Sequence, residues 1–332
     1  MTAGISDLEA AVIAQYGLPW PEVDESGYGP LAAALNTYAG FTLDDGWAAN
    51  RHMQRLFSSG QGEAMNALAE QWVRAMDRDM APIARSARTL AVTVSELPGA
   101  ITTLKLVIAS EAKALAVRNG IDMVGASLTF HPGASADAAT KAVADAGQTA
   151  GRIAQRIQST ANALRQNLKA LLTDPDVAAL AHVPAHLSGA YGGVGGAVGG
   201  AAGAIGGVAG AVTGAGAGTG TGTGQAIGGV LRVDHEEHKL AARKLAEVAV
   251  EVRGRTTAEL TTATGQHAAV KGSGAFAQAL APNIDLILDQ LGAATAAVGD
   301  YLNDALPAAV LRASDSQQAT DEGNRQRIAQ LD

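Results

Sequence analysis

His235 and His238 stand in Asp234-His235-Glu236-Glu237-His238, a cluster of imidazoles and carboxylates of the kind that binds zinc. A zinc-protease helix needs histidines at i and i+4, with a glutamate after the first, so that both rings reach one ion. Here the spacing is i, i+3 and no third ligand is in view, so a solvated helix start is the simpler reading. His182 and His186 do have the i, i+4 spacing, but Pro184 lies between them and argues for a surface loop. There is no cysteine, which removes disulfides, thiolate metal ligands and a thiol nucleophile. No serine sits in G-x-S-x-G. The acid pairs Asp44-Asp45 and Asp77/Asp79 read as solvated faces and caps. The residues therefore point to no enzyme, no metal and no cofactor.

The elements behind these residues are set by an unusual composition. The chain has 332 residues, 40 of them glycine, with aromatics at 4% and a net charge of −8. Chains rich in alanine and poor in aromatics build long, closely packed helices. No basic patch stands out, so nucleic acid is not an expected partner. The N-terminal MTAGISDLEA has neither a basic n-region nor an apolar h-region, so any export is expected to use a route independent of a signal peptide.

One stretch, 189–229, dominates the pattern. It is nearly half glycine, and no charged residue occurs between Val177 and Leu231. Gly192, Gly196, Gly199, Gly203, Gly207, Gly210 and Gly214 recur every three or four residues, which keeps them on one helical face. Val194, Val198, Ile205, Val208 and Val212 fall roughly opposite. A flat glycine face permits close backbone approach, as small-xxx-small helices use in lipid. The glycines between Ala190 and Thr213 penalise such a helix by roughly 8–10 kcal/mol relative to alanine. Its branched residues supply only about −1.5 to −3 kcal/mol of insertion free energy. A glycine zipper here needs a partner surface: another copy, another helix, or a second protein. After Thr213 the alternation GAGAGTGTGTG has no helical face and reads as a hinge. The competing reading of the whole stretch is a low-complexity linker.

Along the rest of the chain the periodicity is helical. Ile5 to Tyr16 is a short amphipathic helix, followed by the rigid Gly17-Leu18-Pro19-Trp20-Pro21. A helix starts near Pro30 with Leu31, Leu35 and Tyr38 on one face, continued by Trp47, Met53, Leu56 and Phe57. Ser58 to Gly62 is a turn, and Glu63 opens a helix carrying Leu68, Trp72, Val73 and Met76, making an αα-hairpin. Trp47, Phe57, Gly60 and Trp72 are its core or a partner-binding stripe. Pro98 is expected to interrupt the next helix. The apolar 101–117 carries Lys105, Glu111 and Lys113 and is expected to be buried rather than membrane-spanning. Ser135 caps a helix over 136–172. A helix from 232, a loop around Gly272-Ser273-Gly274 and a helix over 283–326, kinked at Pro307, form a second hairpin. No segment shows the alternation of a strand.

Leu18-Pro19-Trp20-Pro21-Glu22, an acidic pair, an Ala/Leu helix, and Ser59-Gly60-Gln61-Gly62-Glu63-Ala64 ahead of Trp72 form a recognisable series. It resembles the N-terminal domain of actinobacterial channel-forming necrotizing toxins, itself similar to the small WXG-type hairpins exported by type VII (ESX) secretion. The resemblance covers about residues 5–175. Phe57 stands where the turn tryptophan of the WXG motif belongs. The second hairpin is similar to the short excreted helical proteins of the same route, although Ala305 stands where the usual signal places an acid four residues after Tyr301.

The expected fold is all-α: long helical hairpins or a bundle with a central glycine zipper. The expected division is 1–176, a WXG-like helical domain; 177–231, the zipper; and 232–332, a helical hairpin. The resemblance implies a secreted or envelope-associated, non-enzymatic effector whose zipper inserts into or permeabilises a membrane. It also implies a small WXG-type partner, and self-association is a further expectation. The alternative is a structural or adaptor protein of the export system, with the zipper packed internally.

Overall fold

The computed structural model describes residues 6–60, 63–124, 127–130, 136–189 and 235–330. The zipper glycines Gly192 to Gly214 and the ridge Val194 to Val212 lie outside the described residues.

The fold is helical. In order it comprises α1 (Asp7–Gln15), α2 (Tyr28–Ser59), α3 (Glu63–Arg74), α4 (Ala81–Arg118), α5 (Ala136–Leu171), α6 (Pro175–Leu180), α7 (183–189), α8 (His235–Glu251), α9 (Thr257–Lys271), α10 (Ala275–Asp300) and α11 (Leu306–Ala329). One short antiparallel pair interrupts the series: β1 (Ile121–Val124) and β2 (Ser127–Phe130), with Ile121 opposite Phe130 and Val124 opposite Ser127. The sequence suggests no strand, because four-residue strands are too short to display an alternation that stands out from helix.

Three π-helical turns join helices end to end: Ala75–Met80 between α3 and α4, Val252–Thr256 between α8 and α9, and Tyr301–Ala305 between α10 and α11. A π turn inserts a residue and shifts the buried stripe around the helix. The third lies directly ahead of Pro307, and Leu306 N–H reaches back five residues to the Tyr301 carbonyl.

Pro98, expected to interrupt a helix, sits inside α4. The buried stripe Leu90, Val94, Leu97, Ile101, Leu104, Ile108, Ala112 and Leu115 runs through it at spacings of four and three. Burial on both sides outweighs the roughly 3 kcal/mol that an interior proline costs. The continuous helical run Ala64–Arg118 is, by length and composition alone, long and apolar enough to cross a membrane. α10 likewise starts at Ala275, not near Asn283, with Pro282 inside it.

The chain divides into two compact units, each assembled from three separate stretches. Unit 1 comprises Met1–Asn36, Arg88–Asp174 and Thr261–Leu288; unit 2 comprises Thr37–Ala87, Pro175–Leu260 and Asp289–Asp332. One boundary between the units, Asp174–Pro175, falls close to the expected division at 176; the others reflect packing of stretches distant in sequence.

In unit 1, Ser6 and Glu9 cap α1 reciprocally: the Glu9 carboxylate accepts the Ser6 N–H and the Ser6 hydroxyl accepts the Glu9 N–H. Gly17 ends α1 with φ 57°, a conformation that favours glycine. Lys105 on α4 donates to the Val23 carbonyl at 3.1 Å and to the Glu25 carboxylate at 2.6 Å, holding the extended segment after α1. Arg152 and Arg156 of α5 pair with Glu111 of α4. In unit 2 the core gathers Tyr38, Met53, Leu56, Trp72, Ile83, Leu245, Leu291, Leu302 and Val310.

Candidate partner-binding groove

Within unit 2, α2 and α3 form the expected αα-hairpin. Leu43, Gly46, Trp47 and Asn50 recur at three and four residues and share a face of α2. Trp72, Val73 and Met76 face them from α3 and the π turn after it, with Asp77, Met80 and Ala81 beyond. Together these residues line an open groove of about 330 Å³.

The two groove tryptophans differ. Trp72 is 1% exposed and its indole N–H donates to Asn50 Oδ1 at 2.9 Å. Trp47 is 61% exposed and Val73 53% exposed. An exposed tryptophan thus stands beside an exposed valine, next to the buried Trp72 and Met80, and this apolar surface is left in solvent. Phe57 is half-buried near the end of α2, and Gly60 is buried against Met65 at the turn. Neither lines the groove. Of the four residues expected as core or binding stripe, the structure thus brings Trp47 and Trp72 together and leaves Phe57 and Gly60 apart. Leu43 and Asn50 were not singled out by the sequence, although the recurrence at 43, 46/47 and 50 carries the signal.

Polar groups behind the groove are more buried than the sequence suggests. Asp45 is buried; its carboxylate accepts from Thr256 Oγ1 at 2.5 Å and from Arg255 Nη2 at 2.8 Å. Arg255 also lies over the Phe41 ring at 4.4 Å. Burial pushes the Asp45 carboxyl above its ordinary range, against the pull of Thr256 and Arg255. Asp79, on the first π turn, is buried too and is likewise pushed up by burial, with His186 opposing. Its Oδ1 is 2.9 Å from His186 Nδ1, while Arg78 Nη2 is 2.9 Å from His186 Nε2. Arginine cannot accept, so Nε2 takes the Arg78 hydrogen and Nδ1–H donates to Asp79. Tyr38 donates to Thr295 Oγ1 at 2.5 Å, since that hydroxyl spends its own hydrogen on the Leu291 carbonyl. Burial raises the Tyr38 phenol to about 12.

These positions correct three expectations. Asp45 and Asp79 are interior groups, not solvated caps. His186 stands in α7, where Pro184 falls in the first turn and is tolerated, not in a surface loop. His238 is fully buried and His235 Nδ1 meets Ser314 Oγ at 2.6 Å, so the start of α8 is packed rather than solvated. Among the described residues no three His, Cys, Asp or Glu side chains are grouped to hold a metal ion.

No protein family model, curated protein or solved structure matches this chain.

Proposed function

We propose that the chain is a non-enzymatic effector of type VII secretion that binds a small WXG-type helical partner in the Trp47–Trp72 groove and acts on a membrane through residues 189–229. The observation that supports this most is the exposed Trp47 beside an apolar groove, on a helical hairpin that resembles the exported WXG type with Phe57 in place of the turn tryptophan. An amphipathic partner helix would remove Trp47 and Val73 from water, which stabilises association by roughly 25 cal/mol per Å² of apolar surface covered. The glycine spacing of 192–214 supports the membrane step, by close pairing with another copy or another helix. In this reading the protein is secreted or envelope-associated by a signal-peptide-independent route and binds no nucleic acid.

A second reading is an adaptor of the same export system. The groove supports it equally, since partner binding is common to both. Dye release from liposomes by the purified protein, with and without residues 189–229, separates them. Release that depends on the segment supports the effector. No release from neutral or anionic vesicles, at neutral or acidic pH, sinks the membrane step and leaves the adaptor.

A further inference from the structure

Unit 1 contains a buried histidine outside the groove. His267 on α9 is 4% exposed. Its Nε2 lies 2.9 Å from Asp285 Oδ1 on α10, and Lys271 Nζ holds the other carboxylate oxygen at 2.6 Å. A carboxylate only accepts, so the neutral ring carries its proton on Nε2. Its Nδ1 is buried without a hydrogen-bond partner among the described residues.

The same stretch grips the segment that follows α1. Ser273 Oγ accepts the Asp24 N–H at 3.0 Å. Gly274 packs so closely on the Glu22 backbone that a Cβ there would collide with the Glu22 carbonyl. Gly27 lies against the Val270 side chain in the same way. His267 is one helical turn from Val270 and Lys271. Its ring thus lies one helical turn before the residues that hold the 22–27 segment.

We propose that His267 is an acid sensor: a second proton must enter at the buried Nδ1, where no acceptor stands, and it loosens the α9–α10 turn and its grip on residues 22–27. The charged groups facing the ring are Asp285, which favours the charged form, and Lys271, which opposes it. Burial exceeds both and holds the imidazole below its ordinary range. Burial alone would raise the Asp285 carboxyl, but Lys271 and His267 outweigh it and hold it low, so the acceptor of Nε2–H stays ionised as pH falls.

The sign follows. The unfolded chain takes the proton first, at about pH 6.5, while the folded ring takes it only at lower pH. The stability contributed by the neutral ring is complete above that value and is lost as pH falls toward the folded pKa. That acid opening would precede membrane action rests on the reading above; the switch itself does not.

The test is native-state hydrogen exchange of the full chain at pH 7.5, 6.5 and 5.5, corrected for intrinsic rates, with His267→Gln beside wild type. Glutamine keeps a donor for Asp285 and cannot titrate. Opening of peptides covering 20–28 and 264–290 is expected to rise by up to about tenfold per pH unit in wild type, the limit for one proton, and to stay flat in the variant. Equal pH dependence in both overturns the proposal. Should the variant not fold, the C2–H resonance of His267 in wild type decides. Half-titration below the free imidazole value supports the sensor, and at or above that value refutes it. Dye release from liposomes by the same samples reports on the membrane reading: opening with acid but no release supports the switch and removes that reading.

Discussion

The indole N–H of Trp72 donates to Asn50 Oδ1 at 2.9 Å across the α2–α3 hairpin; Trp72 is buried, while Trp47, one turn earlier than Asn50 on α2, stays in solvent. Two residues of one type thus carry different work. Trp72 is packed into the core beside the groove; Trp47 stays exposed and, in the proposed function, offers its face to a partner.

Trp47→Ala is therefore expected to change stability by no more than about 0.5 kcal/mol, as at other surface sites, yet to weaken capture of a helical partner at least tenfold. Trp72→Ala should cost about 3–5 kcal/mol of folding free energy, by the lost burial and the cavity left behind. Chemical denaturation with partner titration by calorimetry checks both. A strongly destabilised Trp47→Ala, or one that binds as wild type does, contradicts the assignment of the groove.

Glycine substitutions should separate turn from helix. Gly274→Ala meets the Glu22 backbone, which cannot move aside as a flexible side chain would, so a loss of about 1–3 kcal/mol is expected. Gly99→Ala, inside α4 with open space around the added methyl, should gain about 0.5–1 kcal/mol from helix propensity. Thermal melts of the two variants beside wild type give the ordering, and a destabilised Gly99→Ala would mean that α4 is packed differently there.

Asp45→Ala removes the acceptor of the buried Thr256 hydroxyl, so a cost of about 1–3 kcal/mol is expected at neutral pH. Because burial raises the Asp45 carboxyl, the folded state takes its proton before the unfolded chain does. That contribution is complete below the unfolded carboxyl value and is lost as pH rises through the folded one. The stability gap between wild type and variant should widen as pH falls from 7 to 4. A gap that narrows would show the ionised form to be the favoured one.

The glycine face has its own test. Replacing Gly199 and Gly203 by Leu raises helix propensity and hydrophobicity but blocks close pairing. Replacing Val198 and Val208 by Leu adds bulk on the other face. If pairing drives permeabilisation, liposome leakage is lost with the glycine pair and kept with the valine pair. Leakage unchanged or increased by the glycine pair would remove pairing as the mechanism.

Much of the helical framework was readable without coordinates. The short first helix, the three- and four-residue recurrence of Leu31, Leu35 and Tyr38, and the Gly272–Gly274 turn each act over a few helical turns, so their local chemistry sufficed. The helix expected over 136–172 is α5, Ala136–Leu171, for the same reason.

Burial was decided elsewhere. The sequence does not say which indole enters the core; packing of α3 against α2 buries Trp72, whose N–H meets Asn50, 22 residues away, and leaves Trp47 exposed. Asp45 looks like a surface acid until Thr256, 211 residues away, covers it. His267 becomes a buried base because α10 returns Asp285 to its ring. Pro98 and Pro282 stay inside helices, because apolar burial along the whole element exceeds the local penalty that the sequence displays. Local propensity thus determined where most helices form, and packing between stretches distant in the chain determined which faces they bury, since desolvation depends on neighbours that no short window contains.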